Sequence, residues 1–333
     1  MTILPAATEA SLEMVYRPRD AVAVRATLGP LRRGVGDPCV RFDEVGGVWL
    51  AFGTEAGPAT LHLLGGVGGG RTAPGAASGA PSIDGVRGAV RVRAWGPGAA
   101  LALERVPALL GAGDDWSELD TSSHTLLAQS RHRNPGLRLT RTGRVIDALV
   151  PAVIEQKITS TEAFRAWRIL VTRHGDVAPG PHGGTLRVPP PAAVWRRVPS
   201  WEWHRAGVDP RRSKAAVSSA VVAPSLERST ARHPHGAEVW RLLRTVPGVG
   251  EWTAAETAQR SHGDPDAVSF GDYHLAKTVG VALCGEPVDD DALAELLEPW
   301  SGQRQRIVRL VLATGVGAER HGPRLTIQDH RGH

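Results

Sequence analysis

The sequence predicts a mostly α protein with a small α+β N-terminal domain, and three observations support this fold class. Short segments rich in Val and Leu, bounded by Gly, Pro or Asp, fill the first third of the chain. From Trp116 onward, periodic segments of helix length follow one another with short polar or proline-containing breaks. The length of 333 residues allows a sizeable core and two domains of ordinary size.

The N-terminal third is predicted to be an antiparallel sheet with one helix against it, forming a domain over residues 1–113. The expected strands are 21–28, 39–43, 47–53, 59–64 and 88–95. The segment 97–113 has helical spacing and ends at glycines, so it is expected to be the helix.

The rest of the chain is predicted to be a helical domain over 114–319, followed by a frayed tail over 320–333. The expected helices are 116–130, 143–156, 160–174, 192–197, 212–224, 236–245, 251–261, 273–283, 290–298 and 302–314. No internal repeat of fixed period occurs.

Composition limits the cofactors and the partners. The two cysteines, Cys39 and Cys284, are too few for a disulfide framework, a four-cysteine zinc site or a four-cysteine iron-sulfur cluster, so neither zinc nor an iron-sulfur cluster is expected. The net charge of +5 permits a polyanionic partner such as nucleic acid. Only three of the 39 basic residues are lysines, a bias that GC-rich codon usage explains equally well.

Targeting signals are not evident in the sequence. The N-terminus lacks the basic start and apolar core of a signal peptide, and no run of about 20 apolar residues occurs. We therefore expect no membrane partner and a cytoplasmic, nucleoid-associated protein.

The segment GGVGGGRT after 59–64 nearly matches a phosphate-binding loop, with Arg71 where that motif has lysine. Such a loop needs a helix immediately after it, so that the helix amides face the phosphates. The sequence that follows, APGAASGAPS, does not favour a helix. A flexible loop is therefore predicted.

The stretch LRTVPGVGEWTAAETAQR, residues 243–260, contains a break that requires explanation. Proline and glycine inside a helix cost about 3 and about 1 kcal/mol per residue. The pattern predicts a helix, a tight turn through Gly248 and Gly250, and a second helix from Glu251. Unpaired amides at that second helix start, together with the Thr253 hydroxyl, form a suitable place for a phosphate. An ordinary interhelical turn has the same local pattern.

A carboxylate follows this hairpin at a defined distance. Asp272 lies 22 residues beyond Gly250, next to Tyr273 and at the expected start of another helix. It is either the N-cap of that helix or a group with a chemical role.

Several ordered motifs together resemble one known superfamily. The segments VIDALVPAVIEQKIT, LLRTVPGVGEWTA and PDAVSFGDYHL are similar to the helix-hairpin-helix (HhH-GPD) DNA glycosylases, and the best match is the 3-methyladenine DNA glycosylase II (AlkA-type) branch. The strong match covers residues 140–315. The resemblance implies a helix-hairpin-helix glycosylase α-bundle plus an antiparallel β-sheet domain. It also implies an enzyme that binds damaged double-stranded DNA as a monomer, flips a damaged base and excises it to initiate base excision repair.

The resemblance assigns the chemistry to Asp272. A carboxylate beside C1′ would stabilise the positive charge that develops on the sugar as the N-glycosidic bond breaks. Trp252 stands where family members that also nick DNA have a lysine nucleophile, so a monofunctional enzyme is expected. Trp252 and Tyr273 are expected to line the base pocket and to face a cationic alkylated purine, although core packing would also explain them.

Two positions depart from the family pattern. Glu256 stands where the best-known member of the branch has an aromatic residue. Its carboxylate would attract a cationic base, accept a hydrogen bond from an exocyclic amine, or face solvent as the i, i+4 partner of Arg260. Lys157 occupies the position of the family's wedge into the duplex, where it would plug the stack with its methylenes or point away.

The resemblance also implies a DNA-contacting set and a cation site. The expected DNA contacts are Gly248, Val249, Gly250, Thr253, Gln156, Lys157 and Arg304, whereas Trp300 is expected to be structural. The backbone carbonyls of Arg244, Val246 and Val249 are expected to hold a monovalent cation, Na⁺ or K⁺. No cofactor is expected for catalysis.

Two other functions stay open. A glycosylase for oxidised, deaminated or bulky purine adducts is suggested by Glu256 and Lys157. A helix-hairpin-helix DNA-binding protein without catalysis would use Asp272 only as a helix cap.

Overall fold

The structure is a computed structural model that describes residues 11–66, 88–182 and 184–317. Most of the glycine-rich segment and all of the tail at 320–333 lie outside these residues, so the flexible loop and the frayed tail stay predictions. Among the helices described, none is both long enough and apolar enough to cross a membrane.

A five-stranded antiparallel sheet occupies the N-terminal third, in the strand order β1-β5-β4-β3-β2. Its strands are β1 (Ser11–Tyr16), β2 (Val40–Phe42), β3 (Val48–Thr54), β4 (Gly57–Gly65) and β5 (Val90–Trp95). In β5 the residues Val90 and Val92 are buried while Arg91 and Arg93 are exposed, so one face of the sheet turns to the core. Helix α2 (Ala99–Leu109) packs on β1, β4 and β5.

The remaining described chain is mainly helical. The other helices are α1 (Val24–Leu28), α3 (Thr125–Arg133), α4 (Val145–Glu155), α5 (Ser160–His174), α6 (Ala192–Trp195), α7 (Ser200–Ala206), α8 (Pro210–Val221), α9 (Ala223–Arg232), α10 (Ala237–Arg244), α11 (Glu251–Ser261), α12 (Leu275–Leu283), α13 (Asp290–Leu297) and α14 (Arg304–Thr314). A short hairpin of β6 (Asp176–Val177) and β7 (Arg187–Val188) follows α5. The predicted fold class is confirmed.

Helix α4 is the central element. Its sequence VIDALVPAVIE is apolar almost throughout, and nearly all of its residues are buried against α5, α8 and α11. The largest core cluster joins these helices to the sheet, and a second cluster lies among α3, α12, α13 and α14. Helix α4 ends at Glu155, and Gln156 follows it beside the start of α11. The packing of α4 therefore fixes where the turn after it meets the hairpin.

Local sequence signals explain several helix ends. Thr159 and Glu162 form a reciprocal capping box at the start of α5. Asp209 accepts hydrogen bonds from the first amides of α8, which has proline at its first position.

Several predicted elements are wrong in type or extent. Residues 24–28 form α1 and not a strand, because the segment closes into one turn followed by a 3-10 turn over Gly29–Leu31. The helix predicted over 116–130 begins only at Thr125. The helix predicted over 212–224 is two helices, α8 and α9. Strand β1 and helix α7 were not predicted.

Candidate active site

The PGVG turn closes tightly between α10 and α11. The amide of Val246 donates to the carbonyl of Leu243, and that of Val249 donates to Val246 at 3.0 Å. Gly248 has a φ of +88°, and a Cβ added there would lie 2.8 Å from the Cβ of Ala215. The position therefore requires glycine for its conformation and for its close approach to α8.

The first turn of α11 is open. No side chain caps it, and the amides of residues 250–253 have no hydrogen-bond acceptor among the residues described. These unpaired amides and the positive end of the helix dipole together favour an anion.

The turn after α4 is joined to the hairpin. The side-chain amide of Gln156 donates to the Gly248 carbonyl at 3.0 Å and to the Thr253 hydroxyl at 2.8 Å. The next residue, Lys157, is exposed and has a φ of +54°, the one positive φ at a non-glycine residue in the described chain. Such a conformation costs roughly 1–2 kcal/mol for an L-residue. The structure thus brings together six of the seven predicted DNA contacts, all except Arg304.

The two carboxylate oxygens of Asp272 make different contacts. Oδ1 accepts hydrogen bonds from the backbone amides of His274 at 2.9 Å and Leu275 at 3.0 Å, and so caps the start of α12. Oδ2 accepts the indole N–H of Trp252 at 3.3 Å. The cap explains only the first oxygen, since the second faces the beginning of α11.

Asp272 also lines a cavity of about 310 Å³. Its walls come from residues 27–30, residues 138–140, helices α11, α12 and α14, and the segment before α12. Glu256 lines the same cavity, whereas the lining includes no Trp, Tyr or Phe residue.

Glu256 is held by its neighbours. Its carboxylate accepts from Arg260 at 2.7 Å and from the Ser269 hydroxyl, and the side chains of Glu256 and Arg260 are only 13% and 14% exposed. Arg260 also donates to the Pro30 carbonyl at 2.9 Å, which ties α11 to the N-terminal part of the chain. Glu256 is therefore the i, i+4 partner of Arg260, but it faces the cavity and not solvent.

The two predicted aromatic walls lie outside the cavity lining. Trp252 is partly buried and touches Asp272. Tyr273 is 75% exposed, and its ring centroid lies 4.4 Å from the Lys277 ammonium and 4.8 Å from the His274 ring. A pocket role for either ring stays a prediction.

Arg304 is engaged with another element. Its Nε donates to Asp266 at 2.7 Å, and Nη2 completes a bidentate pair that raises the pKa of Arg304 above its ordinary value. The Trp300 indole donates to the Asp120 carbonyl at 2.6 Å. The structure does not bring Arg304 to the PGVG turn and the residues joined to it, so a DNA contact by Arg304 stays a prediction.

Solved structures of similar architecture are DNA glycosylases. The 3-methyladenine DNA glycosylase from Archaeoglobus fulgidus superposes with a TM-score of 0.69 at 15% identity, covering 90% of this chain and 97% of that one. The Clostridium acetobutylicum 8-oxoguanine glycosylase/lyase, solved with double-stranded DNA containing cytosine opposite 8-oxoguanine, gives 0.61 at 14% identity, covering 91% and 98%. The chain has the helix-hairpin-helix DNA glycosylase fold.

A curated relative from Mycobacterium tuberculosis gives a partial sequence match. It is named a probable bifunctional transcriptional activator/DNA repair enzyme AlkA, and it is 30% identical over 159 residues. The match spans 44% of this chain and 30% of the relative's length. No family model matches the chain.

Within this glycosylase fold, the expected cation ligands have free coordination capacity. The carbonyls of Arg244 and Val249 accept no hydrogen bond from the residues described, and that of Val246 accepts one, from Val249. A monovalent cation at these oxygens stays a prediction. Within residues 11–66, 88–182 and 184–317, no group of three or more His, Cys, Asp or Glu side chains is arranged to hold a metal ion.

Two cavity residues on α14 were not predicted from sequence. Gln305 is a buried residue of the cavity lining, and its Oε1 is buried without a hydrogen-bond partner among the residues described. Arg309 lines it one turn later, and burial and the nearby Arg260 lower its pKa to about 10, so it stays a cation at neutral pH. Their i, i+4 spacing in RQRIVRLVL places both on one helix face, but sequence gives no sign that this face meets Asp272.

Proposed function

We propose that this chain is a monofunctional DNA glycosylase that initiates base excision repair by hydrolysing the N-glycosidic bond of a damaged purine, with alkylated purines as the first expected substrates. The observation that carries the proposal is the position of Asp272. Its carboxylate contacts Trp252 at the start of α11, and the residue lines a cavity whose volume lies in the range of small-ligand pockets.

The hairpin supplies the grip on DNA in this proposal. A phosphate binds the open amides of α11, and Gln156 and Thr253 hold the turn that carries Lys157 against the same place. Lys157 then enters the space left by the flipped nucleotide, or holds a phosphate beside it. A monovalent cation on the carbonyls named above would add positive charge next to that phosphate.

The carboxylate acts on the sugar. As the bond from C1′ to the purine nitrogen breaks, the base leaves with the electron pair and C1′ becomes positively charged. Asp272, held by two amides and the Trp252 indole, stabilises that charge. A water oxygen then bonds to C1′, and its proton passes to the solvent or the departing base. The product is an intact abasic site.

Strand nicking is not part of the proposal. Nicking through a Schiff base needs an amine near C1′, and Trp252 occupies the position where such an amine would stand. Of the three lysines, Lys277 lies over the Tyr273 ring on α12, Lys214 lies on α8, and Lys157 lies on the turn after α4. We further propose that the reaction needs no metal for catalysis and that the protein acts as a monomer, in a cytoplasmic, nucleoid-associated setting.

Proteins similar to this chain support a repair function. The relative from M. tuberculosis is a probable DNA repair enzyme, and the A. fulgidus structure is a 3-methyladenine DNA glycosylase. The non-catalytic alternative accounts for Oδ1 of Asp272 as a helix cap, but gives no task to Oδ2 or to the cavity.

The test is base release from methylated duplex DNA. Wild-type protein should create abasic sites that alkali converts to strand breaks, and Asp272→Ala should create scarcely any while still binding the DNA. Borohydride added during the reaction should trap no covalent adduct. An absence of breaks with wild type, across alkylated and deaminated substrates, would favour the non-catalytic DNA-binding protein.

A further inference from the structure

The segment that carries Asp272 has no regular secondary structure of its own. It runs over residues 267–272, between the end of α11 and the start of α12, and forms neither a helix nor a strand. Within it, the amide of Asp272 donates to the carbonyl of Ser269 at 3.2 Å, so a shift of Ser269 also moves the carboxylate. Because no ladder of backbone hydrogen bonds fixes this segment, its contacts with neighbouring elements determine where Asp272 lies.

One face of α11 supplies several of those contacts. Trp252, Glu256 and Gln259 follow one another at i, i+4 and i+7, a spacing that places all three on the same side of a helix. The Trp252 indole donates to the Asp272 carboxylate at 3.3 Å. The Ser269 hydroxyl donates to Oε1 of Glu256 and accepts from the Gln259 side-chain amide at 2.8 Å. Helix α11 therefore holds the segment at two points, Asp272 and Ser269.

Both oxygens of the Glu256 carboxylate already have partners within the protein. Oε1 accepts from Ser269, which is only 3% exposed, and Oε2 accepts from Arg260 at 2.7 Å. Arg260 also donates to the carbonyl of Pro30 at 2.9 Å, and Pro30 lines the same cavity. Hydrogen bonds to a carboxylate are stronger than those between neutral groups. Glu256 thus joins α11 directly to the segment 267–272 and, through Arg260, to the N-terminal wall of the cavity.

Resting on the proposed glycosylase function, we propose that Glu256 is a positioning residue that sets the place of the Asp272 carboxylate through Ser269. With Gln259 it fixes the Ser269 end of the segment 267–272, while Trp252 orients the carboxylate at the other end. Asp272 carries the chemistry, and Glu256 acts only through its neighbours. A Glu256 that attracted a cationic base or accepted from an exocyclic amine would instead contact the base itself.

The first test is a double-mutant cycle between Glu256 and Ser269. Its readout is the single-turnover rate of 7-methylguanine release from duplex DNA at saturating protein, with hypoxanthine as the probe if wild type releases only that base. Glu256→Ala and Ser269→Ala should each lower this rate by up to about a hundredfold, since a misplacement of about 1 Å costs that much at a reacting centre. The double variant should be no slower than the slower single variant, because both substitutions break the same link.

Binding and a matched control show that the loss lies in the chemical step. Affinity for abasic-site DNA, which depends on the hairpin, should be the same in both single variants as in wild type. Glu238→Ala removes a carboxylate from an exposed ion pair with Arg241 on α10, outside the cavity lining, and should leave the rate of release unchanged. Thermal unfolding shows whether each variant is folded.

Glu256→Gln distinguishes a positioning role from a role of the charge. Glutamine keeps an oxygen that accepts from the Ser269 hydroxyl, and Arg260 retains two backbone acceptors, the carbonyl of residue 256 at 2.8 Å and that of Pro30 at 2.9 Å. This variant should therefore release 7-methylguanine at a rate near that of wild type. If the carboxylate attracted the cationic base, Glu256→Gln would be as slow as Glu256→Ala.

A comparison of two bases distinguishes positioning from base recognition. 7-Methylguanine is cationic and has an exocyclic amine, whereas hypoxanthine is uncharged and has none. A displaced Asp272 slows every substrate alike, so Glu256→Ala should lower the release of both bases by the same factor. A loss confined to 7-methylguanine would show that Glu256 contacts the base.

The outcomes separate this inference from the glycosylase function. A wild-type protein that releases no base from methylated or deaminated DNA overturns both. Release by wild type with additive losses in the cycle, or with a slow Glu256→Gln, overturns the positioning role and leaves the glycosylase function standing. If Glu256→Ala does not fold, Ser269→Ala should still be slow and Glu256→Gln near wild type, and any other result for this pair overturns the inference.

Discussion

Asp272→Asn separates the two tasks that the structure assigns to one side chain. Asparagine keeps an Oδ1 that accepts the amides of His274 and Leu275, so the cap of α12 survives. In place of Oδ2 it puts an N–H₂ group opposite the Trp252 indole N–H, which removes one hydrogen bond. That loss costs about 1 kcal/mol of the free energy of unfolding.

The expected loss of catalysis is much larger. Removing a preorganised group that stabilises transition-state charge lowers the rate by roughly a hundred- to a thousandfold, or about 3–4 kcal/mol of activation free energy. A protein with the usual stability of about 5–15 kcal/mol stays almost fully folded after losing 1 kcal/mol. Unfolding therefore cannot produce a rate loss of this size.

The assay combines three measurements on wild type, Asp272→Asn and a matched control. Asp289→Asn is that control, because Asp289 caps α13 through the Ala292 amide at 3.0 Å and does not line the cavity. Both variants should unfold within about 1 kcal/mol of wild type and bind abasic-site DNA alike, but only Asp272→Asn should lose single-turnover base release. Equal activities of the two variants would refute the chemical role of Asp272 and leave it a helix cap.

Three other perturbations test the site and the core. Gly248→Ala should lower the free energy of unfolding by at least about 2 kcal/mol, because Gly248 has a positive φ and an added Cβ would lie 2.8 Å from Ala215. Gly250 has open space around it, so Gly250→Ala should lower the free energy of unfolding by less in the same denaturation experiment. Lys157→Ala and Lys157→Gly should each lower the magnitude of the salt slope of DNA binding by about 1, and the glycine variant should be the more stable by about 1 kcal/mol because it adopts a φ of +54° without strain. Equal stability of the two would argue against that strain. Burial lowers the pKa of His262 from 6.5 to about 4, so below pH 6.5 the unfolded chain binds a proton that the folded chain refuses. Stability should therefore fall by about 2 kcal/mol between pH 7 and pH 5 through this residue, and chemical denaturation of His262→Gln should show a correspondingly smaller loss.

Local signals were sufficient where a single segment decides its own structure. The periodic segment 160–174 and the broken helix at PGVG predicted α5, α10 and α11 close to their observed bounds. Strand β1 was not predicted, because its partner β5 lies more than 70 residues away along the chain. The segment 24–28 alternates apolar and polar residues as a strand does, yet it forms α1. In a segment of only five residues, tertiary packing and not periodicity determines the secondary structure.

The site was predictable in part for the same reason. Asp272 and the hairpin belong to a motif whose order and spacing can be recognised in the amino-acid sequence. Arg309 and Gln305 look like ordinary polar positions of an amphipathic helix, and their burial depends on how α14 meets α11 and α12. The pairing that neutralises Glu256 was visible as i, i+4 spacing, whereas its direction into the cavity was not.

The walls of the cavity are drawn from Thr27 near one end of the sequence to Leu312 near the other. Helix α14 is the last of the described elements along the chain, and it contributes Gln305 and Arg309 to that cavity. A chain that ends before α14 would contain the hairpin turn and Asp272 but would lack this wall of the cavity. We therefore expect such a truncated protein to release no base, even where it still binds DNA.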